Sequence, residues 1–514
     1  MEHHNKVQYL LGVDCGTTAC KAALFDLNGR RIASETAEYG VFHPHPTWAE
    51  QDPDSWWDAV IKTVRDLIER KKITSKSVIC VAVDSQREAV VPLDAHGKKL
   101  FNSIIWLDKR TIDTAKEIRS RLLQEKVIEK TGVPIDYFFS AAKILWIKKE
   151  KPQVFERVRT LVFPKDYVNY KLTGALATDY SMASRTMLFD IRKRIWDDEI
   201  CETLGIPLEL LPQIKGSWEV VGEVTKEAAK KTGLTKNTPV VSGGGDRPCE
   251  ALGAGVIAPG LVNVGTGAAT TIEVPLAEPA PDKKGRIDCC CHVAPDTWEY
   301  EAVIMTTGAS LRWFRDMFGH EEVKQARRTG QDPYAHFDKL AEKVNEGSDM
   351  LFYYPYPMGA KSPKFNDLAK AVFFGFTLGH GKPHFIRSML EGVAFQYVET
   401  LEILGELGVN VKEFSMVGGE TKSSMWNRIK ADIVGLPIRI PEASETTAAL
   451  GSAILAGVGA KVYKSVEEGV ERCIRSVETY NPRIDVHEKY MKIYEKYKKV
   501  YNFLDAAYKV IAVD

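Results

Sequence analysis

A strand that runs into a glycine-threonine turn, Gly12-Val13-Asp14-Cys15-Gly16-Thr17-Thr18-Ala19, returns far downstream as Val262-Asn263-Val264-Gly265-Thr266-Gly267-Ala268. The repeat constrains the fold to two halves built alike. In each, an apolar run enters a turn whose glycine exposes consecutive N–H groups and whose threonine adds a hydroxyl, a combination suited to phosphate oxygens. Only the first turn carries an acid, Asp14, where the second has Val264. A metal-nucleotide site needs that asymmetry, because Mg²⁺ takes one or two carboxylates together with phosphates and water. Taken singly, either turn reads equally well as an ordinary hairpin.

With 514 residues the chain exceeds a single hydrophobic core, and two domains are expected, over residues 1–250 and 251–514. Lys plus Arg balance Asp plus Glu at 69 each, so no overall field draws the chain to nucleic acid or membrane. A small molecule is the expected partner, with a homodimer left open. The start, His3, His4, Asn5 and Lys6, is polar, and no apolar run reaches the length of a membrane span, which points to a cytoplasmic protein. Nine scattered cysteines argue against a disulfide framework. Cys289-Cys290-Cys291-His292 lacks CxxC spacing and reads as a buried strand of thiols rather than a zinc site.

Periodicity gives an α/β chain. Tyr9 to Val13, Ala22 to Phe25 and Arg31 to Ala33 read as a meander closed at Asn28-Gly29. Asp52-Pro53 caps a helix whose Trp56, Trp57, Val60, Val64, Leu67 and Ile68 recur at helical spacing, and a buried strand follows at Val78 to Val83. A helix-rich middle occupies residues 112–170. Pro239 to Ser242 is expected to open the second α/β block through Gly243-Gly244-Gly245-Asp246. Beyond it lie an amphipathic helix over Pro383 to Leu401, a strand at Glu413 to Val417, an Ala/Gly-rich helix over Thr446 to Ala460 and a terminal helix on the surface from Val486.

The two turns, Phe138 to Glu150, and Ala371 to Glu391 together resemble the FGGY family of carbohydrate kinases over nearly the whole length; Phe376 stands where the second signature has a smaller aliphatic residue. The resemblance implies a two-domain actin/hexokinase-like (ribonuclease H-like) α/β fold with a central cleft, ATP and Mg²⁺ as cofactors, and a sugar or polyol as substrate. It implies Asp246 as catalytic base, with Asp14 and Asp246 toward the metal. An aspartate of ordinary acidity, pKa ~3.9, is a weak base for an alcohol, so proton transfer is expected late and positioning dominates. The same resemblance puts Gly16, Thr17, Thr18 and Lys21 at the phosphates, Gly265, Thr266, Gly267 and Gly308 opposite them, Gly418 and Gly419 at the α-phosphate and ribose, and Lys422, Ser423 and Asn427 near the adenine. No GxxxxGK[ST] loop is present.

For the sugar, Gln86-Arg87-Glu88 follows a buried strand, where α/β proteins bind ligands; Arg87 can fork onto vicinal hydroxyls while Glu88 accepts from them. Trp106, Asp108 and Arg110 are expected as a second wall. The segment resembles that of glycerol kinases with three departures: Phe138 in place of Tyr, Arg247 in place of Gln and Ala269 in place of Phe. A lost phenolic donor costs ~1–3 kcal/mol toward a hydroxyl placed there. The departures suggest a larger substrate than glycerol, an open-chain C4–C6 ketose such as ribulose or xylulose. Xylulokinases usually show Gln-Met-His-Gly where this chain has Gln86-Arg87-Glu88-Ala89, and Thr306 to Phe318 resembles autoinducer-2 kinases. Glycerol, erythritol and autoinducer-2 are the alternative substrates. A nucleotide-switched, actin-like binding protein is the alternative class.

Overall fold

The computed structural model describes residues 7–362, 364, 366–442 and 444–511; His3, His4, Asn5 and Lys6 lie outside them. Two compact units divide the chain. The first comprises Met1–Ala258, Pro275–Tyr300 and Thr446–Ile474, the second Pro259–Val274, Glu301–Glu445 and Arg475–Asp514. They interleave, so two segments beyond residue 250 return to the first unit.

In the first unit, β1 (Tyr9–Cys15), β2 (Ala19–Phe25) and β3 (Arg31–Glu38) form the antiparallel meander that the alternating apolar pattern predicts. Helix α1 (Pro53–Arg70) starts as read: Pro53 occupies its first turn and the Asp52 carboxylate accepts from Asp54 N. Trp56, Trp57, Val60, Val64 and Leu67 bury its apolar face. Strand β4 (Val78–Ser85) lies parallel to β1 and, being apolar almost throughout, is buried along both faces. Helix α2 (Ser140–Glu150) and strand β5 (Val220–Glu223) follow. Then β6 (Pro239–Val241), expected to open a second α/β block, instead pairs parallel with β4 through Val240 and Val81. Three residues ending in glycines carry no local signal of which sheet they will join, because pairing is set by long-range packing. The sheet order is β5-β6-β4-β1-β2-β3, and β7 (Gly244–Gly245) also pairs with β4 and leads into α3 (Asp246–Gly253). The Ala/Gly-rich segment forms a helix, Thr447–Gly459, packed on α3, β1 and β4.

The second unit repeats the pattern from a later start. Strands β8 (Leu261–Thr266) and β9 (Thr270–Leu276) make an antiparallel hairpin, and β8 runs parallel to β10 (Glu413–Gly418), which runs parallel to β11 (Ile438–Pro441); β12 (Ser476–Tyr480) is antiparallel at the end. Helix α4 (Thr307–Phe318) precedes α5 (Lys382–Glu406), which was expected to be amphipathic but is buried all round from Ile386 to Thr400. The terminal helix α6 (Ile484–Ile511) accounts for this. Its Tyr490, Tyr494, Tyr497, Tyr501 and Tyr508 share one face and are buried, so it is a core element rather than a surface strap. Tyr490 donates to Glu391 of α5 at 2.8 Å, and Tyr497 stacks on Tyr354 at 4.3 Å.

Candidate functional site

Parallel pairing gathers the acids of the first unit. Asp14 ends β1 opposite Asp84 of β4, and Gly244 of β7 also faces Asp84, so that Asp246 follows at the same end of the sheet. Carboxyl ends of adjacent parallel strands are where α/β sheets meet their ligands. Ser452, from the glycine-rich helix, donates to Asp84 Oδ2 at 2.6 Å. Burial first, then the neighbouring Asp246 carboxylate, pushes the Asp14 pKa up to about 6, opposed in part by Lys21 across the hairpin. Burial and Asp14 raise Asp84 as well. Asp246 belongs to this unit, within the first domain expected over residues 1–250, and its side chain remains 23% exposed.

The raised Asp14 value has a sign that can be tested. A carboxyl that holds its proton in the folded state up to about pH 6, against an ordinary value of 3.8, makes the native chain bind more protons than the unfolded one between those limits. Stability therefore falls as pH rises through that window. Asp14→Asn is expected to flatten the pH dependence of the denaturation midpoint there, measured without divalent cation; an unchanged slope would show that the proton sits elsewhere.

Around Asp246, Arg87 Nε lies 3.5 Å from Oδ1, with the Arg87 side chain 4% exposed. Arg247 donates its backbone N–H to Asp246 Oδ1 at 2.9 Å, and its guanidinium turns to Glu250 at 3.4 Å. Trp106 Nε1 donates to Thr17 Oγ1 at 2.8 Å, and its ring lies 6.1 Å from that of half-buried Phe138. Asp108 does not join this wall. It is fully buried, grips Arg110 with both oxygens, and accepts the Ala49 N–H; Arg110 also pairs with Glu50 at 2.8 Å and covers Trp48. A carboxylate so committed has no oxygen left for a sugar, which is invisible to a reading of Trp106-x-Asp108-x-Arg110 by spacing.

The second unit holds the remaining turns. Gly267 N–H bonds to Ala269 O, so Ala269 belongs to the second glycine turn. Gly308 opens α4 against Gly267; a Cβ at Gly308 would stand 2.3 Å from Gly267 O. Gly418 adopts φ 93°, where a Cβ would meet Thr266 O at 2.0 Å. The Thr266 hydroxyl is spent inside the fold, donating to Val417 O at 2.6 Å, whereas Gly267, Thr18 of the first turn, and Gly419 are exposed. Ser423 caps the helix Ser424–Val434, Asn427 donates to Thr421 O, and exposed Lys422 pairs with Glu445. Cys289, Cys290 and Cys291 lie buried on a strand, as read, and none of the nine cysteines is in a disulfide.

Sequence reasoning missed Asp84 and Arg185. The first had a signal, an acid directly after the buried run of β4. Arg185 had none, yet its Nε donates to Glu88 at 2.6 Å across 97 residues of chain.

Comparison with known proteins accords with this architecture. Residues 9–253 match the N-terminal domain, and residues 260–460 the C-terminal domain, of the FGGY family of carbohydrate kinases. The glycerol kinase of Thermococcus gammatolerans is 32% identical over 487 residues, 93% of this chain and 94% of its own. The gluconokinase of Bacillus subtilis is 30% identical over 505 residues, 98% of each. The crystal structure of a xylulose kinase from Rhodospirillum rubrum superposes with a TM-score of 0.89 at 29% identity, covering 98% of this chain and 100% of that one. With that coverage at both sequence and structure level, the chain belongs to the FGGY family of carbohydrate kinases: it is a two-domain actin/hexokinase-like phosphotransferase whose phosphoryl donor is ATP.

Proposed function

We propose that this protein transfers the γ-phosphoryl group of ATP to a hydroxyl of an open-chain C4–C6 ketose, a pentulose such as ribulose or xylulose being the best fit. The observation that carries the reading is Arg87 beside Asp246 at 3.5 Å, with Glu88 adjoining, all in one unit. Arg87 orients vicinal hydroxyls. Asp246 accepts a hydrogen bond from the attacking hydroxyl and takes its proton late, as the new P–O bond forms. Phe138 and Trp106 cover the carbon face of the sugar. The glycine turn at Gly16 in the first unit, and in the second unit those at Gly267, Gly308 and Gly419, are suited to phosphate oxygens because backbone can approach a ligand closely there.

Mg²⁺ fits the residues present. Asp84 Oδ1 is buried with no hydrogen-bond donor, and Asp14 beside it is held partly protonated by burial, a shortage of positive charge that a divalent cation relieves. Among the described residues no three His, Cys, Asp or Glu side chains gather as a closed metal centre, consistent with an ion held by one or two carboxylates and phosphates. Asp14, with Asp84 behind it and Asp246 near, would hold the ion, which would neutralise charge on the phosphates. Nine cysteines outside any disulfide and the ATP requirement suit the cytoplasm. Among the described residues no helix is long and apolar enough to cross a membrane.

A coupled ADP-release screen over glycerol, erythritol, pentuloses, hexuloses, autoinducer-2 and sugar acids tests the substrate. A pentulose is expected to give kcat/KM at least about tenfold above glycerol. Glycerol or a sugar acid at the head of the ranking would replace the ketose. An actin-like switch, which needs no polyol pocket, would release ADP without regard to any sugar.

A further inference from the structure

Behind Phe138 runs a line of alternating charges. Glu88 takes a left-handed backbone, φ 63°, uncommon for a residue with a side chain and found where the surroundings enforce it. Its Oε1 accepts from Arg185 Nε at 2.6 Å, and Arg185 Nη1 donates onward to Asp288 Oδ2 at 2.8 Å, with Cys290 Sγ at 3.3 Å. The Arg185 side chain is 2% exposed, whereas Asp288 is 20% exposed. Phe139 and Phe138 lie 4.9 and 5.7 Å from the guanidinium carbon. Of the other cations nearby, Lys143 donates to the backbone carbonyls of Glu88, at 2.9 Å, and Phe138, buried Arg87 is paired with Asp246 at 3.5 Å, and Arg247 is paired with Glu250 at 3.4 Å.

Charge counting gives this line a consequence. A buried guanidinium with one carboxylate partner can still fork onto a second carboxylate, and in a sugar pocket that second one could come from a sugar acid. Here Asp288 already takes that place. An aldonate entering beside Glu88 would meet two carboxylates sharing one guanidinium, and would lose its hydration without a free cation in return. A neutral ketose meets acceptors for its hydroxyls instead.

Resting on the kinase reading above, we propose that Asp288 is a positioning residue that, through Arg185, fixes the charge class of the substrate, admitting neutral polyhydroxy ketoses and disfavouring sugar acids. No catalytic step runs through it. Its place in the first unit, on the strand Asp288–Cys291, keeps it with Arg185 and Glu88.

The test compares kcat/KM for D-ribulose against D-ribonate, and for a hexulose against D-gluconate, in the wild type and in Asp288→Asn. The wild type is expected to favour the neutral member of each pair by about 100-fold, and Asp288→Asn to narrow the ratio by about tenfold, since one charge-assisted contact has been freed. A merely structural loss would lower both members alike, so an unchanged ratio overturns the proposal. So does a wild type that prefers the aldonate, an outcome that leaves the kinase itself intact. Calorimetric binding of the same four sugars without nucleotide reads the same ratio. Selective ketose binding without sugar-dependent ADP release would sink the kinase reading while sustaining the charge selection. Glu88→Gln, expected to weaken ketose binding, supplies a second variant should Asp288→Asn fold poorly.

Discussion

Asp246→Asn is expected to lower sugar-dependent ADP release by about three orders of magnitude, the loss typical when a positioned general base is removed. The amide keeps the size of the carboxylate and can still accept the Arg247 N–H that bonds Oδ1 at 2.9 Å. It loses the charge that faces Arg87 at 3.5 Å and the capacity to take the hydroxyl proton. Nucleotide binding is expected to persist within about threefold, because neutralising Asp246 removes one of the influences that keep Asp14 protonated and so favours the ionised Asp14. Stopped assays for ADP release, paired with calorimetric titration of ATP and Mg²⁺, read the two quantities separately. A variant of near-normal rate would remove Asp246 from the mechanism, and one that no longer binds ATP would show the carboxylate to be a ligand-holding group first.

What the sequence carried of this site was the part encoded locally. The turns Asp14 to Thr18 and Gly265 to Gly267 are short motifs whose strands announce themselves by apolar runs, and both fold as read. Arg87 and Glu88, proposed for the sugar, could be singled out because they follow a buried strand. What failed to show was pairing over distance. Asp246 joins the first unit because three residues, Pro239–Val241, align beside β4, and Arg185 reaches Glu88 and Asp288 from opposite directions along the chain. The converse error has the same source: Asp108 looks like a pocket acid until Arg110, Glu50 and Trp48 are seen to close around it. The tyrosines of α6 were hidden differently, since lysines and glutamates between them made a buried face read as a solvated one.

Gly451→Ala is expected to destabilise the first unit strongly for the addition of a single methyl group. The glycine-rich helix Thr447–Gly459 meets α3 backbone to backbone: a Cβ at Gly451 would stand 1.9 Å from Cys249 O, and one at Gly253 of α3 would stand 1.9 Å from Thr447 O. On its other side the same helix brings Ala449 O to 1.8 Å of a Cβ built at Gly12 of β1. Carbonyls cannot rotate away as a side chain can, so the helix must shift as a body. Overpacking of well-packed interiors costs about 1–3 kcal/mol, and a backbone-limited contact belongs at or above the top of that range. The shift would also withdraw the Ser452 hydroxyl from Asp84, now 2.6 Å away, coupling lost stability to weakened metal binding. Gly405→Ala is the matched control: near the end of α5, with no atom within 4 Å of its added Cβ, it should gain about 0.5–1 kcal/mol from helix propensity alone. Thermal denaturation of both variants, with Mg²⁺-dependent ATP binding measured alongside, gives the comparison. Equal midpoints would mean that α3 and the glycine-rich helix can separate without cost, and the close packing behind Asp14 and Asp84 would no longer explain why this helix is built from glycine and alanine.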